Sequence, residues 1–276
     1  MNSAYLPDGA KLSYSDTGTG LPVVFLHPTP LDHDYWRPLT ESLSDVRAIV
    51  PDLRGHGGSD LGRLPVGGFV RVPDAPVLTM AQLSHDVVSL LNHLALEQAV
   101  FTGCSIGGYV LLELWRRAPE RIRGLAFVCS KPQPDAETNL QKRVANIEQV
   151  RAGGLDAMFD GMAQTLIGST ARKSTPKIVT ELRARMTLTA EAQIAVQAGL
   201  ATRPDSVPTV ATIGVPVLAI AGGQDTAVAA ADMEAFRSAP GGCDYHLMRD
   251  AGHFAAYEKP DQVAGLVGSW LRVFKS

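Results

Sequence analysis

The run Ala99-Val100-Phe101-Thr102-Gly103-Cys104-Ser105-Ile106-Gly107-Gly108-Tyr109 fixes the reading of the whole chain. Ala99 to Thr102 predict a short buried strand. Ile106 to Arg117 predict a helix that follows with no polar loop between, carries Tyr109, Val110, Leu112 and Leu114, and ends before Ala118-Pro119. Strand, sharp turn, helix is the context in which Gly-x-Ser-x-Gly has chemical meaning. Glycines two places before and two places after Ser105 let the strand and helix backbones approach without Cβ clashes, leaving the serine hydroxyl exposed above the sheet end. The helix beginning there aims N–H groups and its positive dipole end at the same point, which favours negative charge developing beside Ser105. The plainer alternative is a helix start with Ser105 as N-cap and glycines for packing. Cys104 is by type the better nucleophile, but as the neighbour of the tip residue it is expected to point away from the cleft.

Outward from this turn, short Val/Ile/Phe-rich runs alternate with amphipathic stretches, the pattern of a mostly parallel sheet covered by helices on both faces. The runs are Leu21 to Leu26, Arg47 to Val50, Ala99 to Thr102, Leu125 to Val128 and Val215 to Ile220, with a weaker one at Tyr245 to Met248. Asp8-Gly9 between Ala4-Tyr5-Leu6 and Lys11 to Ser15 predicts an opening hairpin. Leu83, Val87, Val88, Leu90, Leu91 and Leu94 recur at helical spacing after Thr79, an N-cap candidate. From Lys131 to Ser206 strand signals vanish and helical patterns replace them, among them Leu140 to Arg151, Leu155 to Leu166 and Pro176 to Met186. The expected organisation is therefore a core domain of residues 1–130 and 207–276 with a helical cap, 131–206, inserted. Gly153-Gly154 and Gly168-Ser169-Thr170 are the natural breaks inside that insertion, and Leu64 to Leu78 is a long Pro/Gly-containing loop.

A serine hydroxyl is a weak nucleophile at neutral pH, so it needs a general base, and the base needs a group to fix its tautomer. The acid candidate is Asp225, in Gly222-Gly223-Gln224-Asp225 just after the Val215 to Ile220 run and so at the carboxyl end of a strand. The base candidate is His253, in Ala251-Gly252-His253-Phe254 after the Tyr245 to Met248 run, which gives the chain order Ser, Asp, His. Asp135 is a second acid candidate, read more simply as a surface charge where the helical insertion begins, and Asp250 reads as turn chemistry with Gly252. His85 and His93 fall within a predicted helix, and no motif sets His33, His56 or His246 opposite Ser105. Acyl transfer also requires two donors for an oxyanion. Ile106 N–H, directly after the serine, is the candidate for one, and Thr29 N–H for the other, because the prolines of His27-Pro28-Thr29-Pro30 stiffen the turn and leave only Thr29 between them with a free N–H; the plainer alternative is a rigid turn with no catalytic part.

With 276 residues and 45% hydrophobic content the chain can bury one substantial core. A net charge of −3, mixed along the sequence, gives no basic stripe for nucleic acid or anionic lipid. Three cysteines, Cys104, Cys129 and Cys243, imply neither a disulfide framework nor a zinc site. The N-terminus has neither the basic start nor the apolar run of a signal peptide, and no segment reaches about 18 uninterrupted apolar residues, so a cytoplasmic protein without membrane association is expected.

Taken together, His27-Pro28-Thr29-Pro30-Leu31-Asp32-His33, Pro51-Asp52-Leu53-Arg54-Gly55-His56-Gly57-Gly58-Ser59, the Ser105 turn, Arg203-Pro204-Asp205-Ser206, Gly223-Gln224-Asp225 and Gly252-His253 resemble the α/β-hydrolase superfamily over essentially the whole length, and within it the small cap-bearing esterases and 3-oxoadipate enol-lactonase-like hydrolases. The resemblance implies an α/β-hydrolase fold, an oxyanion loop at His27, and a structural role for Arg54-Gly55-His56-Gly57. Pro28 stands where the family usually has Gly, and Thr29 where it usually has a bulky apolar residue, which leaves pocket shape open. The activity expected is cleavage of a small to medium carboxylic ester, lactone or thioester through an acyl-enzyme on Ser105, with no metal or organic cofactor. The alternatives are specialised chemistry on the same triad, such as C–C hydrolysis, elimination or perhydrolysis, and a ligand-binding member without turnover. The expected partner is a small, largely apolar acyl compound, with a homodimer as the assembly to test. Met158, Phe159, Met162, Leu166 and Ile167 are candidates for an acyl pocket, although helical spacing assigns most of them to packing.

Overall fold

The computed structural model describes residues 1–274. In chain order the strands are β1 (Asn2–Tyr5), β2 (Lys11–Thr17), β3 (Leu21–Leu26), β4 (Val46–Pro51), β5 (Ala99–Cys104), β6 (Ile122–Val128), β7 (Val217–Gly222) and β8 (Cys243–Met248). They form one sheet in the order β1-β2-β4-β3-β5-β6-β7-β8. β1 and β2 pair antiparallel, β2 joins β4 antiparallel, and every pairing from β4 through β3 to β8 is parallel. Every residue of β5 and β7 is buried, so both sheet faces are covered, as all-apolar runs without alternation require. The strand order reverses at β3/β5, and the open end of such a reversal is where sheets of this class keep their sites.

The helices are α1 (Arg37–Thr40), α2 (Met80–His93), α3 (Ile106–Arg117), α4 (Glu137–Arg151), α5 (Leu155–Leu166), α6 (Ser169–Ser174), α7 (Lys177–Ala184), α8 (Ala190–Ala201), α9 (Val207–Val210), α10 (Ala230–Met233), α11 (Ala255–Glu258) and α12 (Pro260–Leu271). Thr79 caps α2 by accepting from Gln82 N–H at 3.1 Å, the role its position predicts. α4 to α9 lie between β6 and β7. This helical segment is continuous with the main core, since Phe159, Ala163, Ile167 and Leu182 belong to the same buried cluster as Phe25, Phe101 and Phe127 of the sheet.

The Leu64 to Leu78 loop has no strand or helix of its own beyond a bridge of Val66 to Pro76. Its Phe69, Val72, Ala75 and Val77 pack with Ile147 of α4 and Ala198 of α8 in a second small core. Leu78 N–H donates to Ala195 O of α8 (3.0 Å), and Arg71–Glu137 (2.6 Å) and Arg151–Asp74 (3.0 Å) fasten the loop to α4. Beneath the sheet end, the Arg54 guanidinium is 1% exposed and forks onto Asp86 of α2 (2.8 and 2.9 Å) with Asp8 on its other side (2.7 Å), fixing the turn after β4 to the hairpin and α2. Among the described residues no helix is long and apolar enough to cross a membrane.

Candidate active site

Ser105 joins β5 to α3 with φ 51° and ψ −115°, a left-handed conformation that L residues avoid and that costs of order 1–3 kcal/mol. Its neighbours hold it there. Ser105 N–H donates to Val128 O of β6 (3.1 Å), and Ser130 Oγ donates to Ser105 O (3.0 Å). The glycines are required by space: a Cβ on Gly103 would stand 2.5 Å from the Gly107 carbonyl carbon, and one on Gly107 would run into Leu26 O of β3. The turn is thus threaded between two parallel strands and its own helix, and Ser105 lines a cavity.

Asp225 follows β7 by three residues, and its carboxylate is fully buried. Oδ1 accepts from the N–H groups of Ala227 (2.8 Å) and Val228 (3.0 Å), which turns Oδ2 toward His253 Nδ1 at 2.8 Å. Because a carboxylate only accepts, Nδ1 carries the proton and Nε2 is left as the basic nitrogen. His253 is 3% exposed, and its backbone N–H donates to Leu166 O at the end of α5 (2.8 Å). The loop is clamped further by Glu258, whose Oε2 accepts from Gly252 N–H (2.9 Å) and Gly168 N–H (3.0 Å); burial lifts this carboxyl above its ordinary pKa. Ser105 and His253 both line the cavity, while no hydrogen bond joins Ser105 Oγ to His253 among the described residues.

The structure brings Thr29 to the same cavity and places Ile106 at the start of α3. Neither N–H has an acceptor among the described residues, an uncommon condition for buried amides. Thr29 is held by a contact that sequence reasoning missed. His56 Nδ1 donates to Arg54 O (3.0 Å), so its Nε2 accepts from Thr29 Oγ1 (3.0 Å). Complete burial pushes the His56 pKa down to about 3 and keeps the ring a neutral acceptor. The local sequence held no sign of this pair, which spans 27 positions.

The rejected candidates fall elsewhere. Asp250 pairs with Lys259 Nζ (2.6 Å), His33 Nδ1 with Asp52 (2.7 Å), and His246 with Asp244 (2.9 Å), while His85 and His93 are exposed on α2. Cys104 is fully buried under Tyr35 OH (3.3 Å), and burial pushes its thiol pKa far above the ordinary value. Asp135 corrects the expectation of a surface charge. Its side chain is 3% exposed, between Arg143 (3.0 Å) and Arg203 (2.9 Å), because two guanidinium groups compensate its desolvation and hold its carboxyl below the usual pKa despite burial.

The cavity measures about 580 Å³. Met158, Met162 and Leu166 of α5 line it, as does Leu200 of α8, whereas Phe159 and Ile167 point into the core. Asn139, Lys142, Arg143, Asn146 and Gln149 of α4 form a polar side. Among the described residues no group of three or more His, Cys, Asp or Glu side chains is placed to hold a metal ion.

Residues 23–266 match the model of the family described as "Alpha/beta hydrolase family". Among solved structures, a thermophilic esterase from Thermogutta terrifontis superposes with a TM-score of 0.88 at 31% identity, covering 99% of this chain and 97% of that one. Among curated proteins, 3-oxoadipate enol-lactonase 1 of Acinetobacter baylyi is 25% identical over 267 residues, 91% of this chain and 88% of the relative. The 2-succinyl-6-hydroxy-2,4-cyclohexadiene-1-carboxylate synthase of Salmonella arizonae is 24% identical over 262 residues, 93% and 95% of the two chains. An eight-stranded, mostly parallel sheet, a serine on a strained strand-to-helix turn, and a family match running from β3 into α12 lead to one assignment: this chain belongs to the α/β-hydrolase family.

Proposed function

We propose that the chain is a cytoplasmic serine hydrolase that cleaves a small to medium carboxylic ester, lactone or thioester through an acyl-enzyme on Ser105. The observation that carries this reading is the buried Asp225–His253 pair at 2.8 Å opening on the same cavity as the Ser105 turn. In the proposed cycle Ser105 Oγ attacks the substrate carbonyl carbon as His253 Nε2 removes its proton. The tetrahedral oxyanion is received by the N–H groups of Ile106 and Thr29, whose lack of protein acceptors supports the assignment. The imidazolium, stabilised by Asp225, returns the proton to the leaving oxygen or sulfur as the carbonyl re-forms. Water, deprotonated by His253, then attacks the acyl-enzyme, and Ser105 leaves as the protonated hydroxyl. No metal or organic cofactor takes part in this scheme. The 131–206 helical segment acts as a cap over the 1–130 and 207–276 core, lining the pocket and limiting bulk water.

Turnover of p-nitrophenyl acetate and butyrate, with a lactone and a thioester alongside, compared between the parent and Ser105→Ala, tests the reading. The nucleophile's removal should lower kcat by about three or more powers of ten. A folded but inert parent, or a Ser105→Ala variant of undiminished activity, would refute it. The second reading, specialised elimination or C–C chemistry on the same residues, draws support from the similarity to the Salmonella synthase and predicts slow turnover of simple esters.

A further inference from the structure

The expected largely apolar substrate fits only one side of the cavity. α5 contributes thioether and aliphatic groups, but α4 presents a polar stripe at helical spacing, Asn139, Lys142, Arg143, Asn146 and Gln149. The charges on that side do not cancel. Among the described residues Asp135 is the one carboxylate lining the cavity, and it faces two guanidinium groups, Arg143 at 3.0 Å and Arg203 at 2.9 Å. Arg203 is itself 3% exposed on its side chain, and it lies 3.8 Å over the ring of Tyr109, another lining residue. Gln197 Oε1 accepts from both Arg143 (3.1 Å) and Asn146 (3.2 Å), adding no charge. Lys131 is neutralised by Asp232 (3.1 Å), whereas Lys142 has no hydrogen bond or ion pair among the described residues. Arg143, from a triad that carries one surplus positive charge, and the exposed Lys142 ammonium therefore line the same space. The carboxylate of Asp225 is fully buried and already committed to the His253 imidazole.

We infer that the physiological substrate is an anion whose carboxylate seats against α4 between Arg143 and Lys142, while its apolar segment lies along Met158, Met162 and Leu166. A monoester or lactone of a dicarboxylic acid has this shape: a reacting carbonyl at Ser105 and a free carboxylate a few bonds away. A free carboxylate would accept charge-assisted bonds stronger than those a neutral ester carbonyl can accept, and it would balance the surplus charge. The inference rests on the hydrolase reading above only for which carbonyl reacts; the anion seat itself is a matter of binding.

The test is therefore a binding measurement on Ser105→Ala, which cannot turn the ligands over. Monomethyl glutarate and dimethyl glutarate, differing in one charge, are titrated calorimetrically at low salt and again at about 0.5 M, where exposed charges are screened beyond about 4 Å. The half-ester should bind about tenfold more tightly than the diester at low salt, and the gap should narrow at high salt. Lys142→Gln, an exposed position, should narrow the low-salt gap about three- to fivefold, and Lys177→Gln, the same charge change at an exposed position of α7, should leave it intact. Equal or tighter binding of the diester, no heat with either compound, or equal effects of the two lysine substitutions would overturn the anion seat. If the parent hydrolyses p-nitrophenyl butyrate yet the diester binds better, the anion seat alone falls. If the half-ester binds with Lys142 dependence and the parent hydrolyses nothing, the seat stands and the hydrolase reading falls.

Discussion

Asp225→Asn isolates the part of the site that geometry defines best. The asparagine is isosteric, and its Oδ1 can keep the bonds from Ala227 (2.8 Å) and Val228 (3.0 Å), so the loop after β7 has no reason to move. Held that way, its amide NH2 occupies the place of Oδ2 and points a donor at His253 Nδ1 from 2.8 Å. Two donors cannot share that contact, so the imidazole must shift its proton to Nε2, leaving no basic nitrogen toward Ser105. Both the tautomer and the stabilisation of the imidazolium are lost, an effect of about 10⁴ in kcat where such a swap acts on a serine–histidine pair, or about 5 kcal/mol. The assay is kcat and KM on p-nitrophenyl butyrate across neutral and alkaline pH, with thermal unfolding as the control for fold. The expected result is a loss carried by kcat, with KM and melting temperature little changed. Retention of more than about a tenth of parental kcat would refute the reasoning, and so would a comparable loss in Asp135→Asn with Asp225→Asn active.

Three further outcomes follow from contacts around the site. Gly103→Ala places a Cβ 2.5 Å from Gly107 and should destabilise by about 2 kcal/mol or more, read by urea denaturation; an unchanged midpoint would show that the turn relaxes freely. Thr29→Val removes the hydroxyl that binds His56 Nε2 and leaves a buried acceptor unpaired, costing about 1–3 kcal/mol of stability and lowering kcat more than it raises KM, with Thr29→Ser restoring both; a loss confined to KM would contradict a positioning role. Glu258 carries a pKa raised by burial, so the native state holds its proton more tightly than the unfolded chain does; that stability is full below the unfolded value and is lost as pH rises through the folded one. Glu258→Gln should therefore gain stability relative to the parent as pH rises from acid to neutral, and a pH-independent difference in unfolding free energy would dismiss the idea.

Much of the sheet was legible because buried parallel strands read as unbroken apolar runs. β3 matches Leu21 to Leu26 residue for residue, and β5 and β6 extend the predicted runs by a few residues. β7 starts after the expected Val215, since Pro216 has no N–H to give the ladder, and it continues through Ala221-Gly222, whose small side chains hid it. α8 was not marked because Ala190–Ala201 is buried between α4 and the body of the chain and carries no polar stripe to set a period. The residues of the proposed site could be named where their setting is local, as at the Ser105 turn and at the strand ends that precede Asp225 and His253, and the structure gathers them around one cavity. The site was illegible where a side chain's state depends on distant partners. Asp135 is buried because Arg203, 68 positions away, reaches it, and His56 matters because a turn 27 positions earlier places Thr29 against it.

The two walls of the cavity are tied to the His253 loop differently, and under the proposed mechanism that difference predicts how selectivity can vary. α5 ends in Leu166, whose carbonyl accepts the His253 N–H, and Gly168 beyond it shares the Glu258 carboxylate with Gly252. Gln224, next to Asp225, accepts from Thr170 N–H (2.9 Å) and Ser169 Oγ (3.1 Å). The apolar wall and the proposed base, His253, therefore share one scaffold, and a change that shifts the α5 terminus displaces the imidazole with it. α4 is fastened instead to the Leu64 to Leu78 loop, through Arg71–Glu137 and Arg151–Asp74, and to α8 by apolar packing and by the Arg143 and Asn146 hydrogen bonds to Gln197. None of those contacts touches the His253 loop. Substitutions of exposed α4 residues facing the cavity should consequently alter KM and substrate preference at nearly constant kcat. Changes at the end of α5 should instead depress kcat for every substrate, because a displaced base fails whichever acyl group is bound.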